Sequence, residues 1–353
     1  MNNSRRDFIK KVGLGSAALA VGASVLDNNN LFAASQPSSG KQKLKFNKDG
    51  RFKIVQFTDI HLIIEHKDKT EQAINVIESV IEKEKPDLVI LTGDVVTSDD
   101  EIKGWEVVTE PMIKAKTPWA AVFGNHDFEH GKTNKQMMDY IVTRPFNYSQ
   151  HGPAEVSGIG NYTLEIEGSS KNKSAAVLYF FDSHNYTTNT KDEQLGTYDW
   201  IKFDQVKWYR ELSAKLTVKN ANKPYPALAF FHIPLPEYNN ITSFPTTVGE
   251  KNEDVCCPNI NSGLYDAFLE CKDVMGVFTG HDHDNNYAGT LNEICLAYGC
   301  KTGFDSYGKL DKGGRIIELF EGERKFDSRI CTPSTPSKYA FSYPESFKRQ
   351  IAK

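Results

Sequence analysis

The chain has 353 residues, which is room for one large domain or two small ones with a substantial core. Hydrophobic residues make up 39% of it and charged residues 25%, as is ordinary for a soluble globular protein. The formal charge of −4 supplies no basic field, which argues against nucleic acid as an obligatory partner.

The first 35 residues have the features of an export signal and are set apart from the fold. Arg5 and Arg6 directly precede a mild apolar run at 12–26 that is too short to span a bilayer comfortably. The segment resembles a twin-arginine signal, so we expect recognition by the export machinery and cleavage near residue 35. We therefore expect an exported protein of the bacterial periplasm, with no stable membrane anchor. Cleavage removes four basic and two acidic residues, which takes the formal charge from −4 to −6.

After a polar linker at 36–47, strand and helix patterns alternate along the chain, as in a layered, largely parallel sheet. Branched and aromatic runs predict strands at 52–58, 88–92, 119–123, 161–166, 175–181, 227–231 and 274–279, with weaker ones at 294–296 and 315–320. Helical spacing of apolar residues predicts helices at 70–83, 102–114, 204–216 and 264–269. The simplest interpretation is one α/β domain over 48–325, followed by a C-terminal tail at 326–353.

Five of the predicted buried strands end in a polar cluster. In open α/β sheets, ligands bind beyond the carboxyl ends of the strands, so these clusters should converge. Glycines at 93, 124 and 280 let the backbone turn as it leaves three of the strands. The clusters supply two Asp, one Asn and four His as candidate metal ligands: Asp59, His61, Asp94, Asn125, His232, His281 and His283.

Seven ligands are too many for one metal ion and suit two ions that share a carboxylate, for which Asp94 is placed. Two cations about 3.5–4 Å apart can clamp the attacking and the leaving oxygen of an in-line displacement. Imidazole, carboxylate and amide ligands together suit zinc, iron or manganese better than calcium. The chemistry predicted at this edge of the sheet is therefore metal-assisted hydrolysis.

The order D-x-H, G-D, G-N-H-D, a lone H and G-H-x-H, from Asp59 to His283, resembles the calcineurin-like metallophosphoesterase superfamily. The N-S-G-L run at 261–264 is similar to a branch related to the purple acid phosphatases. The resemblance implies a four-layer αββα sandwich with the metal site at the strand C-terminal ends. It also implies hydrolysis of small phosphomonoesters by a hydroxide that bridges two divalent or mixed-valence ions of Fe, Zn or Mn.

The resemblance also assigns roles to the individual residues. His126 would bind no metal and would act on the substrate, and Asp127 would orient His126 by a hydrogen bond. The first metal ion would be held by Asp59, His61, Asp94 and His283, and the second by Asp94, Asn125, His232 and His281.

One position departs from the purple acid phosphatase pattern. Those enzymes place a tyrosinate three residues after the bridging aspartate, and here that position is Thr97. His61 would fill the vacant coordination place, as in the phosphodiesterases and protein phosphatases of the superfamily. We therefore predict that even the iron-loaded protein lacks the purple charge-transfer band.

Other functions and residues stay open. A phosphodiesterase is the nearest alternative, since it would use the same ligands, and a non-catalytic metal-dependent binding module belongs to a different class. A nuclease is disfavoured by the negative charge. His184 with Asp182, and His66 and His130 near the motif ends, are further site candidates. The six cysteines allow 15 pairings, so we assign none, and a vicinal disulfide between Cys256 and Cys257 stays open.

Overall fold

The computed structural model describes residues 42–170, 172–188 and 193–348, and the expected export signal at 1–35 lies outside them. The helices in this part of the chain are α1 (Lys67–Glu84), α2 (Glu101–Lys114), α3 (Asn134–Ile141), α4 (Phe203–Lys219) and α5 (Leu264–Cys271). The strands are β1 (Arg51–Phe57), β2 (Leu88–Thr92), β3 (Trp119–Val122), β4 (Tyr162–Glu167), β5 (Ser174–Phe180), β6 (Ala227–Phe230), β7 (Val274–Thr279), β8 (Ala288–Leu291), β9 (Ile294–Tyr298), β10 (Gly314–Phe320), β11 (Phe326–Cys331) and β12 (Lys338–Tyr343).

The strands form two mixed sheets of six strands each. The first sheet has the order β12-β11-β10-β1-β2-β3, and the second has the order β4-β5-β6-β7-β9-β8. In the first sheet, β1, β2 and β3 run parallel, whereas β10 pairs antiparallel with β1. In the second sheet, β5, β6, β7 and β9 run parallel. Each sheet therefore has a parallel centre whose strand ends point to one edge.

Side chains that alternate along the strands of the first sheet give it two buried faces. Ile54 and Ile90 face the second sheet, in a core that Leu228 and Phe278 complete from the other side. The neighbouring Val55, Val89 and Leu91 face the helices instead, where they pack with Ile77, Trp105 and Met137. An apolar run with no polar face, as in β2, is what burial on both faces requires.

The second sheet is covered on its outer face by α4 and α5. Phe181, directly after β5, packs edge to face on Trp208 of α4 and on Phe268 of α5, with ring centroids 5.7 and 6.0 Å apart. Helices α1, α2 and α3 cover the first sheet. The architecture is thus helix, sheet, sheet, helix, as the family resemblance implies.

The sequence-based domain limits are wrong at both ends of the described chain. In the expected linker, Leu44 and Phe46 are buried, and Phe46 N donates to the Glu167 carbonyl at 2.8 Å. Residues after 325, expected as a tail, form β11 and β12 at the edge of the first sheet. Phe326 is fully buried and stacks on Tyr343, with centroids 5.0 Å apart, because the interior between the sheets needs this apolar cover.

Within the described residues, no helix has both the length and the apolar character needed to cross a membrane. All six cysteines fall in this part of the chain, and all are free thiols, so the open possibility of a Cys256–Cys257 disulfide is not realised.

Candidate metal centre

The carboxyl ends of β1, β2, β3, β6 and β7 meet at one edge of the two sheets, as expected. There the structure brings together side chains that could hold metal ions, in two groups whose ligand atoms lie within 4.8 Å of one another. The groups share one carboxylate: Asp59, His61, Asp94 and His283 form the first, and Asp94, His232 and His281 the second. All are buried. The arrangement follows the expected sets, and the roles of these residues as ligands remain a prediction.

In the first group, the imidazole nitrogens face carboxylates and each other. His283 Nε2 lies 3.4 Å from Asp59 Oδ1 and 3.1 Å from His61 Nε2, which is itself 3.5 Å from Asp94 Oδ2. His283 Nδ1 lies 3.0 Å from the Tyr307 carbonyl, to which it donates, so Nε2 carries the free lone pair. Lone pairs that converge in this way suit a metal cation.

In the second group, His232 Nε2 lies 3.1 Å from Asp94 Oδ2 and 3.3 Å from His281 Nδ1. His232 Nδ1 donates to the Thr92 carbonyl at 2.8 Å, which again leaves Nε2 as the ligand atom. The Asn125 side chain is fully buried, and its Oδ1 has no hydrogen-bond partner among the described residues. A buried oxygen without a partner is costly, and a metal ion at this place would satisfy it.

The backbone at this edge is held in an unusual conformation. Asp59, His61 and Asp94 have φ of 51°, 46° and 50°, a left-handed region that side-chain-bearing residues rarely adopt. Gly93 has φ of 86°, and a Cβ added there would lie 2.5 Å from His232 Nδ1. Such strain clusters at functional sites, where the surrounding structure enforces it.

Asp127 does not have the role expected for it. Its carboxylate accepts from the backbone N–H groups of Asp94 and Gly124 at 2.8 Å, and from those of Val95 and Val96 at 2.8 and 3.1 Å. Asp127 therefore fastens the loop after β2 to the loop after β3. The prediction that it orients the His126 ring is wrong, because its oxygens turn inward to these N–H groups while the ring faces outward.

Glu129, which the sequence analysis did not single out, takes the place expected for Asp127. His126 Nδ1 lies 2.7 Å from Glu129 Oε1, and the backbone N–H of His126 donates to Asp94 Oδ1 at 2.8 Å. The His126 side chain is 35% exposed, so its ring reaches solvent at the mouth of the site. A carboxylate three residues after His126 could have been noticed in the sequence. Only the conformation of the loop shows that Glu129, and not Asp127, contacts the His126 ring.

Burial and neighbouring charges act against each other in the centre. Burial alone would raise the pKa of Asp94, but His232 and His61 beside it lower the pKa well below its usual range. Burial would lower the pKa of His232, and the Asp94 carboxylate outweighs this and raises it to about 9. For His61 and His281, the effect of burial outweighs that of the nearby carboxylates and lowers each pKa to about 3. The buried carboxylates thus favour positive charge at His232, whereas His61 and His281 stay neutral.

Three other residues at the site were not anticipated. The Lys301 ammonium is buried beside the Asp59 carbonyl at 3.4 Å, and burial lowers its pKa to about 8. The Tyr307 ring stacks on His283 with centroids 4.1 Å apart, and the Tyr186 hydroxyl lies 2.9 Å from Asn125 Nδ2. Lys301 lies shortly after β9, another buried strand, so the rule that polar residues after buried strands mark the site could have identified it. The tyrosines lie in loops with no such signal.

The other histidine candidates are engaged elsewhere. His184 Nε2 lies 2.7 Å from Gln205 Oε1 of α4. His66 Nδ1 pairs with Asp305 at 2.7 Å, and His130 Nδ1 with Asp99 at 3.0 Å. None of the three belongs to either metal-binding group within the described residues.

Comparisons with known proteins identify relatives of this chain. The sequence is 36% identical over 312 residues to "Probable inactive purple acid phosphatase 29" of Arabidopsis thaliana, covering 78% of this chain and 79% of that one. It is 35% identical to "Phosphatase DCR2" of Saccharomyces cerevisiae, covering 76% of this chain and 51% of that one. A crystal structure of a dimetal phosphatase from Danio rerio superposes with a TM-score of 0.56 at 12% identity, covering 82% of this chain and 98% of that one, and so shares the fold.

The profile of the family described as "Calcineurin-like phosphoesterase" matches residues 52–285, which include all five polar clusters that supply the candidate ligands. That match spans more than half of the chain, and this protein therefore belongs to the calcineurin-like phosphoesterase family.

Proposed function

We propose that the protein is a phosphoesterase that depends on two metal ions and hydrolyses small phosphomonoesters. The observation that carries the proposal is the pair of ligand groups that share Asp94, with an unpartnered Asn125 oxygen beside the second. Asp59, His61, Asp94 and His283 would hold one ion, and Asp94, Asn125, His232 and His281 the other. Imidazole with carboxylate and amide oxygen suits Fe, Zn or Mn.

The metal ions would supply positive charge that activates water and offsets the charge of the phosphate. His126 would serve the leaving group, since its ring is at the mouth of the site with Nδ1 held by Glu129. As the P–O bond of the ester breaks, the leaving oxygen would take a proton from Nε2 of His126. Burial of the ligands excludes bulk water and strengthens each electrostatic interaction in the centre.

The names of the relatives point in two directions. The plant relative carries the word "inactive", whereas the yeast relative is called a phosphatase. The complete ligand set and the available His126 favour turnover over a non-catalytic binding module. A binding module would tolerate damage to Asp94, Asn125, His126 or His232, and all four are present.

The test is hydrolysis of para-nitrophenyl phosphate and bis(para-nitrophenyl) phosphate by protein loaded with manganese, zinc or iron. Asp94→Asn is run in parallel, because the shared ligand loses its charge and both metal content and turnover should fall. We expect faster turnover of the monoester. Preference for the diester would favour the phosphodiesterase alternative, and a fully loaded protein inactive on both would favour a binding module. An Asp94→Asn variant that kept its metal and its activity would contradict the assignment of Asp94.

We also propose that the protein is exported and that its only partner at the site is a small substrate. A twin-arginine pathway carries folded proteins, so a metal centre assembled before export would reach the periplasm intact. The substrate would be a small phosphorylated molecule, and the formal charge of −4 supports no nucleic-acid partner. Replacement of Arg5 and Arg6 by lysine should retain the protein in the cytoplasm of a bacterial host, as measured by cell fractionation.

A further inference from the structure

The Tyr186 hydroxyl lies between the candidate ligand Asn125 and the histidine that would serve the leaving group. Asn125 Nδ2 donates to the Tyr186 hydroxyl at 2.9 Å, and the same hydroxyl lies 3.3 Å from His126 Nε2. The Tyr186 and His126 rings meet edge to face, with centroids 6.1 Å apart. One side chain thus contacts both a metal-facing amide and the proposed acid.

The backbone around Tyr186 holds this side chain in place. Tyr186 pairs antiparallel with Tyr198, and the two rings stack with centroids 5.8 Å apart. The Thr187 N–H donates to the Thr197 carbonyl at 2.9 Å, which fixes the next residue of the same segment. The hydroxyl position is therefore set by strand-like pairing.

An asparagine amide can present either its oxygen or its nitrogen to a ligand, and its hydrogen bonds decide which. Here the nitrogen is occupied by the Tyr186 hydroxyl, while Oδ1 is buried without a partner among the described residues. If Asn125 turned over, its NH₂ group would face the metal position, where it could not serve as a ligand. A hydroxyl oxygen has two lone pairs, so the phenol can accept from Asn125 Nδ2 and from the Nε2–H of His126 at the same time.

We propose that Tyr186 is a positioning residue that holds the Asn125 amide with its oxygen toward the second metal position and extends the hydrogen bonding to His126. The inference rests on the proposed metal-dependent function. It concerns a residue outside the seven ligands, and it predicts a metal-binding defect that is measurable without any substrate.

The test compares Mn²⁺ binding by calorimetry in metal-free wild-type protein and in Tyr186→Phe. The phenylalanine keeps the ring and its stacking but removes the acceptor for Asn125 Nδ2. We expect Mn²⁺ affinity to fall roughly 10–100-fold, as is typical when a group that orients a metal ligand is lost. Tyr140→Phe is the matched control, since it removes a hydroxyl that faces Glu106 away from the site, and it should bind as the wild type does.

The decisive measurement repeats Tyr186→Phe in an Asn125→Asp background. A carboxylate offers an oxygen whichever way it turns, so the hydroxyl has nothing left to orient and its removal should cost little. Equal losses in both backgrounds, or no loss with Asn125 present, would overturn the inference. Because the assay uses Mn²⁺ alone, a loss that depends on Asn125 in a protein inactive on both esters would support the inference and refute only the proposed function.

Discussion

The backbone of His126 contacts the candidate metal centre, and its ring contacts Glu129 at the surface. Its N–H donates to Asp94 Oδ1 at 2.8 Å, and its Nδ1 lies 2.7 Å from Glu129. Neither contact uses the ring as a metal ligand. Turnover and metal binding should therefore separate at this residue.

We expect His126→Ala to retain its metal and to lose kcat by roughly 10²–10⁴-fold, the usual effect of removing a group that transfers a proton. Metal content is measured on the same preparation by elemental analysis. A variant that loses its metal together with its activity would show that His126 is a ligand and that its proposed role is wrong.

Thr97 stands where a coloured iron enzyme of the related branch would carry its tyrosinate. It is half-buried, and its N–H donates to the Leu62 carbonyl at 3.0 Å. The hydroxyls of the two tyrosines described at the site have other partners, since Tyr307 donates to Glu253 Oε2 at 2.8 Å and Tyr186 accepts from Asn125 Nδ2 at 2.9 Å. We therefore expect iron-loaded protein to lack an intense visible band, and strong absorption in the pure protein would contradict the assignment.

The buried Glu84 carboxylate forms ion pairs whose contribution to the stability of the fold can be measured. Its two oxygens accept from Arg329 at 3.0 and 2.6 Å, and its Oε2 also lies 3.4 Å from Lys53 Nζ. Burial would raise the pKa of Glu84, but Arg329 and Lys53 outweigh it and lower the pKa below the ordinary value of 4.5. The folded state therefore binds this proton less readily than the unfolded chain does.

A lowered pKa gives stability that is complete above the unfolded value and is lost as pH falls through the folded value. We expect Glu84→Gln to reduce the free energy of unfolding by about 1–3 kcal/mol at neutral pH. The difference from wild type should shrink as pH falls below 4.5. Urea titrations of both proteins check this, with Glu82→Gln on the exposed side of α1 as control. A difference independent of pH would refute the role of the charge.

At the scale of elements, the last two strands close the edge of the first sheet. β11 pairs antiparallel with β10, and Phe326, Phe341, Tyr343 and Phe347 are buried there. Phe326 packs edge to face on Phe278 of β7, with centroids 5.6 Å apart, so this edge also joins the two sheets.

A chain truncated after Lys325 should fail to fold. Each large apolar side chain contributes about 1.5–3 kcal/mol when buried, so four of them approach the whole stability of a typical domain. Solubility and circular dichroism of the truncated protein measure the effect. A shorter truncation that removes only 349–353 leaves all four in place and should behave as wild type. A folded, soluble protein that ends at residue 325 would show that these strands are dispensable.

At the scale of the whole molecule, the candidate metal ligands come from both sheets. Asp59 and Asp94 come from the first sheet, whereas His232, His281 and His283 come from the second. A metal ion bound between them would stabilise the folded state only, since the unfolded chain does not assemble the ligands. Metal removal should therefore loosen the sandwich as well as stop the chemistry.

We expect manganese or zinc to raise the thermal unfolding midpoint relative to chelator-treated protein. At 100 times the dissociation constant, the gain in unfolding free energy is about 2.7 kcal/mol. Calcium is the control, because it prefers oxygen ligands over imidazole and should give a smaller shift. An Asp94→Asn variant should respond less to manganese or zinc. Identical midpoints with and without these metals would contradict a metal centre that joins the sheets.

The sequence by itself determined the alternation of strands and helices and the residues that meet at one edge, and the family resemblance carried by those residues implied the four-layer architecture. The alternation and the positions of the strand ends follow from local rules, because a strand that is buried on both faces is apolar throughout. The polar residues that end such a strand can be read from the sequence, as at Thr92-Gly93-Asp94. The pattern missed α3, although Thr133 and Gln136 form a capping box at its start.

Only the tertiary structure decided which carboxylate faces His126, what holds Asn125 and where the domain ends. Asp127 and Glu129 are both close to His126 in sequence, and the direction of each side chain depends on how the loop turns between them. Tyr186 reaches Asn125 across 61 residues, a separation at which no local pattern acts. The strands at 326–343 belong to the core because β11 pairs with β10 and β12 pairs with β11. Such pairing depends on the tertiary structure and cannot be read from a local pattern.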